Sequence, residues 1–158
     1  SRTIGNEDFN RPWADYKNGF GNPSTGDFFI GLDALYKLAQ GRNELRIDML
    51  DKNGKPYSAT YSFGIDNEAS KYRLHVSDFR GSAGDSLIYN DGSQFSTYDQ
   101  DNDESRSNCA RDRGGAFWFK DCTGSSLFGR WGVDGENGVI WPTISTTESL
   151  SFFEMKIR

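Results

Sequence analysis

The residues best suited to chemistry stand together in Tyr98-Asp99-Gln100-Asp101-Asn102-Asp103-Glu104-Ser105-Arg106-Ser107-Asn108-Cys109. Aspartates alternate at 99, 101 and 103, and a glutamate and small hydroxyl residues follow. Carboxylates crowded in this way repel one another unless a cation neutralises them, and a hard cation such as Ca²⁺ takes roughly six to eight oxygen ligands. The spacing invites comparison with the EF-hand loop, which draws ligands from its first, third and fifth positions. Two positions reject that comparison. The sixth, where glycine makes the sharp turn, is Glu104, and the twelfth, where a bidentate glutamate belongs, is Ala110. The flanks, with Gly92-Ser93 before and Gly114-Gly115 after, are not helical either. A cation held here would take two or three carboxylates, backbone carbonyls and water in an irregular loop. The alternative is a solvated acidic loop.

Other chemistry is sparse. A hydrolase needs a nucleophile, a base and an orienting group. The single histidine, His75, lies within a strand-like Leu74-His75-Val76 and reads as structural. There is no Gly-x-Ser-x-Gly elbow, phosphate loop or dinucleotide fingerprint. Paired carboxylates leave a calcium-dependent hydrolase as a distant alternative, but a glycosidase separates its two carboxyls across a cleft. These residues do not suggest an enzyme. Cys109 and Cys122 are the only cysteines, thirteen positions apart, with no C-x-x-C motif. With one distant histidine they cannot complete an ordinary zinc site. They read as a disulfide, which implies an oxidising compartment; two reduced core thiols are the alternative.

The elements that must position these groups are only partly legible. At 158 residues the protein suits one domain with a real core, rich in aromatics and in glycine. No stretch approaches a membrane span, and no signal peptide is visible. A net charge of −5 without a basic stripe argues against nucleic acid and against an anionic membrane surface. Asn10 as cap, Pro12 in the first turn and Trp13, Tyr16 and Phe20 at helical spacing predict an early helix. A second is predicted from Leu32 to Ala39, with Gly41 as a left-handed stop. The period then becomes two: Leu45, Ile47 and Met49 form a strand, Asp51-Lys52-Asn53-Gly54 a turn, and Ala59, Tyr61, Phe63 and Ile65 the returning strand. Tyr72–Val76 predicts a shorter strand, and Phe153, Met155 and Ile157 a last one. From about Arg80 to Trp141 periodicity mostly vanishes, and an irregular stretch of that length is usually functional when ordered.

Several runs carry a family resemblance. Phe9-Asn10-Arg11-Pro12-Trp13-Ala14-Asp15-Tyr16-Lys17-Asn18-Gly19-Phe20-Gly21, Glu44 to Asp48, and Ala83-Gly84-Asp85-Ser86-Leu87 before Phe95-Ser96-Thr97 resemble the fibrinogen C-terminal (fibrinogen-like) domain family. So do Asp99 to Ala110, Gly115 to Phe119 with Cys122, Gly138-Val139-Ile140-Trp141, and the closing Glu154 to Arg158. Order and spacing are kept over essentially the whole sequence. The resemblance implies an α+β fold with a central, mostly antiparallel sheet, two short helices and a long irregular calcium-binding region. It also implies that residues 1–158 form a fibrinogen-like domain lacking the family's usual upstream segment with its own cysteine pair. Leu127 to Gly135 looks shorter than the family's loop there.

The resemblance places one Ca²⁺ on the carboxylates of Asp101 and Asp103, with backbone carbonyls near Ser105 and Ser107, water completing the shell and Asp99 as an outer partner. It pairs Cys109 with Cys122. It further implies a cis Asp121–Cys122 peptide bond, which should depend on calcium; such a bond would turn backbone groups of Cys122 and Thr123 toward a shallow pocket with Arg113 and Glu136 on its rim. In the family's acetyl-binding lectins a histidine follows the second cysteine; here that position is Thr123. A pocket tyrosine position four after the first cysteine is Arg113, and a Tyr-Ala pair becomes Gly135-Glu136. Arg113 and Asp121 suit a charged ligand better than an acetyl group, Arg113 through two hydrogen bonds to a carboxylate or sulfate, unless they are simply solvated or paired at the surface. Phe128, Trp131 and Trp141 could wall a sugar site or plug the core under loops.

The functional expectation is a secreted, calcium-stabilised recognition module. A defence lectin of the invertebrate fibrinogen-related kind, binding glycans on microbial or cell surfaces, stands narrowly ahead of a receptor-binding or adhesion domain of the angiopoietin kind. Any oligomerisation would come from regions outside these residues.

Overall fold

The computed structural model describes residues 1–158. Alternation decides the central sheet. In β3 (Glu44–Leu50) every second residue is buried, and β4 (Pro56–Ile65) returns antiparallel to it with Ile47 opposite Ala59 and Met49 opposite Tyr57. The turn between them is the expected Asp51–Gly54, whose Asp51 carboxylate accepts the N–H groups of Asn53 and Lys55, each at 2.9 Å. Gly54 sits at φ 82°, a left-handed conformation that favours glycine. β5 (Leu74–Arg80) flanks β4, and β6 (Phe152–Ile157) lies on the other side of β3, giving the order β5-β4-β3-β6. The last strand in sequence therefore pairs with the first of the sheet, Ile47 facing Met155. On the outward face Lys156 and Arg46 both pair with Asp48, at 3.0 and 2.8 Å.

The helices are short. α1 (Trp13–Asn18) buries Trp13 and Tyr16, and a two-stranded ribbon, β1 (Phe20–Gly21) with β2 (Phe28–Phe29), leads to α2 (Leu32–Ala39). α2 has the predicted bounds and packs on α1 and β4. Three local expectations are corrected. Asn10 does not cap α1: its own N–H donates to Asp8 at 2.8 Å, and Pro12 holds the cap position without a side-chain bond. Gly41 is not a left-handed stop, because α2 ends through Gln40 in right-handed conformation. Tyr72 does not begin β5, because Lys71 and Tyr72 both lie at positive φ (55° and 52°), so pairing starts at Leu74 and runs on to Arg80.

Between 81 and 151 the only regular pieces are a short 3₁₀ turn at Ile88–Asn90 and α3 (Cys109–Arg113). Yet this segment supplies much of the core: Phe95, Phe117, Trp118, Phe119, Phe128 and Trp141 are all buried. Phe128 stands at the junction, its ring 5.4 to 6.2 Å from those of Phe9, Tyr16, Phe29, Phe117 and Phe153. Phe128 and Trp141 are thus core plugs rather than walls of a sugar site. Trp131 is half-buried, with the Arg2 guanidinium 5.3 Å from its ring.

Candidate functional site

The acidic loop is a succession of turns in which polar side groups satisfy nearby backbone. Asp101 Oδ1 accepts from Asp103 N at 3.2 Å; Asp103 Oδ1 accepts from Ser105 N and its Oδ2 from Cys109 N, both at 3.0 Å. The Ser105 and Ser107 hydroxyls meet at 3.3 Å. Asn102 lashes the loop to the core, its Nδ2 donating to Phe95 O at 2.9 Å and its N–H to Ser96 Oγ at 2.9 Å. Asn108 ties the far end, donating from Nδ2 to Tyr98 O at 3.0 Å and accepting from Arg111 N as the cap of α3. Gly114, at φ 73°, ends that helix in left-handed conformation.

Asp103 is the electrostatically unusual member. Partial burial, with the Asp101 carboxyl beside it, pushes its carboxyl up to about 6 against the opposing effect of the Cys109 and Ser105 N–H donors. The exposed Asp101 carboxyl beside the partly buried one of Asp103 fits a hard cation, which would offset their repulsion. No three His, Cys, Asp or Glu side groups are arranged so that they alone could hold a metal ion. A cation at this loop would therefore complete its shell with backbone carbonyls and water.

Cys109 and Cys122 are joined in a disulfide with their Cα atoms 5.5 Å apart, so the expected crosslink is present. It ties the start of α3, and with it the end of the acidic loop, to the 120–123 turn. In the same region Glu104 N donates to Lys120 O at 2.9 Å.

One expectation beside this disulfide is corrected, the cis bond before Cys122. Every peptide bond is trans, Asp121–Cys122 included. A non-proline cis bond costs about 3 kcal/mol, and the trans backbone here is already well partnered: Lys120 N donates to Cys122 O at 2.6 Å, and Tyr89 OH to Asp121 O at 3.0 Å. The Thr123 hydroxyl is committed on both sides, accepting from Asn90 Nδ2 at 2.8 Å and donating to the Ser125 carbonyl. Arg113 and Glu136 do come together, but with each other: Arg113 Nη1 lies 3.1 Å from the Glu136 carboxylate and 3.2 Å from its carbonyl oxygen. Asp121 is exposed. An apolar cavity of about 200 Å³ lies elsewhere, between α2 and the sheet, lined by Ile30, Leu35, Leu38, Phe128, Met155 and Ile157 among others; Arg113, Asp121, Cys122, Thr123 and Glu136 do not border it. His75 is on β5, exposed at the surface, with Nε2 3.0 Å from Asp66.

Sequence reasoning missed α3 and the tasks of Asp99 and Asn90. α3 had a readable signal, Asn108 as cap and Gly114 as stop, in a helix too short to show periodicity. The other two had none, because Trp13, held by Asp99, and Trp118 and Thr123, held by Asn90, lie far away in sequence.

Known proteins share this architecture. The family described as fibrinogen beta and gamma chains, C-terminal globular domain, matches residues 1–158. Chicken (Gallus gallus) tenascin is 42% identical over 160 residues, covering 99% of this chain and 9% of that protein. Human tenascin-R is 40% identical over 160 residues, covering 99% of this chain and 12% of that protein. The sequence thus spans about a tenth of the length of these relatives. Among solved structures, the fibrinogen-like globe domain of human ANGPTL2 superposes with TM-score 0.95 at 36% identity, covering 99% of this chain and 76% of that one. Lamprey fibrin D-dimer, complexed with the peptide ligand Gly-His-Arg-Pro-amide, superposes with TM-score 0.91 at 28% identity, covering 99% and 58%.

Proposed function

The protein belongs to the family of C-terminal globular domains of fibrinogen beta and gamma chains, and from that premise we propose that it is a secreted, calcium-stabilised module recognising a protein ligand in receptor binding or adhesion. It is a non-enzymatic domain of the recognition or structural kind. No helix is long and apolar enough to cross a membrane.

The observation that carries the ligand class is the state of Thr123. Its hydroxyl is spent on Asn90 and Ser125, so the position where acetyl-binding relatives present a histidine has little left to offer a sugar. Arg113 is likewise engaged by Glu136 rather than open to a small anion. These contacts count against the lectin reading. The tenascin and ANGPTL2 relatives fit the adhesion and receptor-binding reading, and the lamprey complex offers a precedent for a peptide ligand on this fold.

Calcium would be held by the carboxylates of Asp101 and Asp103, with backbone carbonyls near Ser105 and Ser107 and water. Bound there, the ion supplies charge neutralisation and a crosslink. The protein's own residues do the rest: Asn102 and Asn108 fix the loop ends, and the disulfide fixes α3 against the 120–123 turn.

The test is a pair of assays on the calcium-loaded domain. Calorimetric titration with N-acetylglucosamine should give no saturable binding. Cells should attach to a surface coated with the domain, and attachment should be lost on chelation or on protease treatment of the cells, but not on adding N-acetyl sugars. Attachment inhibited by those sugars would overturn the protein-ligand reading.

A further inference from the structure

Asp99 belongs to the acidic run, but its bonds lead away from Asp101 and Asp103. Its Oδ1 accepts from Trp13 N at 2.9 Å and from Thr97 Oγ1 at 2.7 Å. Trp13 opens α1 directly after Pro12, whose side group offers that helix no cap. The first free N–H of α1 is therefore satisfied by a carboxylate 86 residues further along the sequence. A negative group at a helix start is favourable in itself, because it answers both an orphan donor and the positive end of the helix dipole.

What Asp99 holds is not peripheral. The Trp13 ring lies 5.6 Å from Tyr72 and 6.2 Å from Phe95, and its indole N–H donates to Glu68 at 3.2 Å. Glu68 also pairs with Lys17 of α1, which lies 3.4 Å from Asp33 of α2. On the loop side, Asn102 stands between the two proposed calcium carboxylates and is bonded to Phe95 and Ser96. The loop thus grips the core at Asn102 and α1 at Asp99.

We propose that Asp99 is a positioning residue that couples calcium binding in the acidic loop to the start of α1, and is not itself a ligand of the ion. This rests on the calcium reading given above. Ordering the loop holds Asp99 against Trp13, and an intact Asp99–Trp13 contact pre-orders the loop for the ion; thermodynamic linkage makes the two effects reciprocal.

The experiment compares wild type, Asp99→Asn, Asp99→Ala and Asp103→Ala by calcium titration calorimetry, by melting in calcium and in chelator, and by hydrogen exchange at the Trp13 amide. Asparagine keeps an acceptor oxygen for Trp13 N. Asp99→Asn should therefore bind calcium within about threefold of wild type, and Asp99→Ala about tenfold more weakly, inside the usual range of coupling effects. Calcium should slow exchange at Trp13 in wild type and Asp99→Asn but not in Asp99→Ala. If Asp99→Asn loses as much affinity as Asp99→Ala, the carboxylate is a ligand and the proposal is wrong. If Asp99→Ala melts lower by the same amount with and without calcium and keeps its affinity, Asp99 is only structural and the proposal is again wrong. Should Asp99→Ala fail to fold, wild type itself decides: no calcium-dependent slowing of exchange at the Trp13 amide, in a protein that binds calcium, would overturn the coupling. Failure of the calcium reading looks different: wild type and Asp103→Ala would both bind no calcium and show no calcium-dependent melting shift, and the coupling would fall with it.

Discussion

In β3 and β4 the backbone is satisfied across a hairpin, Leu45 facing Tyr61 and Met49 facing Tyr57, and the side groups alternate between core and surface. Between 81 and 151 the backbone repeatedly turns to polar side groups instead. The Asp85 carboxylate takes the N–H groups of Leu87 and Ile88, Asn90 takes Trp118 O, and Asn102 takes Phe95 O. Both regions bury aromatics. A β ladder is cooperative and needs no particular polar residue, whereas a loop stitched by Asp, Asn and Ser depends on each stitch, on the Cys109–Cys122 crosslink and on local charge. The two halves of the molecule should therefore fail differently.

The largest effect should come where they meet. Phe128→Ala removes the ring that touches Phe29 and Phe153 on one side and Phe117 on the other, and should cost about 3–5 kcal/mol, as for buried phenylalanines elsewhere. Denaturant melts should show one transition shifted as a whole. Two separate transitions would mean that the regions are independent units.

Next is the crosslink. Replacing both Cys109 and Cys122 by serine should cost roughly 3 kcal/mol on the chain-entropy argument for a loop of this length. The loss should be uneven: amide exchange should quicken around 99–123 while β3 and β4 keep their protection. Equal loosening of the sheet would mean that the two regions do not differ in what holds them.

A smaller loss tests the sheet by its own logic. Gly54→Ala places a Cβ at φ 82°, with no atom within 4 Å for it to strike, so only backbone strain of about 1 kcal/mol should appear, confined to the hairpin. Calcium binding should be unaffected, and a change in it would link regions that the structure keeps apart.

The finest effect is a pH dependence. The Asp103 carboxyl is raised to about 6 in the fold, above its ordinary value of 3.8, so between those values the folded state binds more protons than the unfolded. In chelator, its contribution is fully present below about 4 and is lost as pH rises through about 6. Asp103→Asn should flatten that part of the stability profile, and calcium should flatten it in wild type by neutralising the carboxylate. A wild-type profile in chelator that rises over this window, with the Asn variant following it, would contradict the assignment.

Parts of the molecule governed by near neighbours were legible in the residues alone. α2 lies at Leu32–Ala39 because its leucines fall on one face, and β3, its turn and β4 lie where alternation and Asp51–Gly54 put them. The spacing and types of the cysteines pointed to the crosslink, and the carboxylates at 101 and 103 marked the loop whose electrostatics are unusual. Which polar groups remain available was settled by packing. Asp99 turns to Trp13, Thr123 to Asn90, and Arg113 to Glu136, across 86, 33 and 23 residues. A residue's hydrogen-bonding capacity is written in its type, but whether the fold has already consumed that capacity depends on partners that only the folded arrangement brings together.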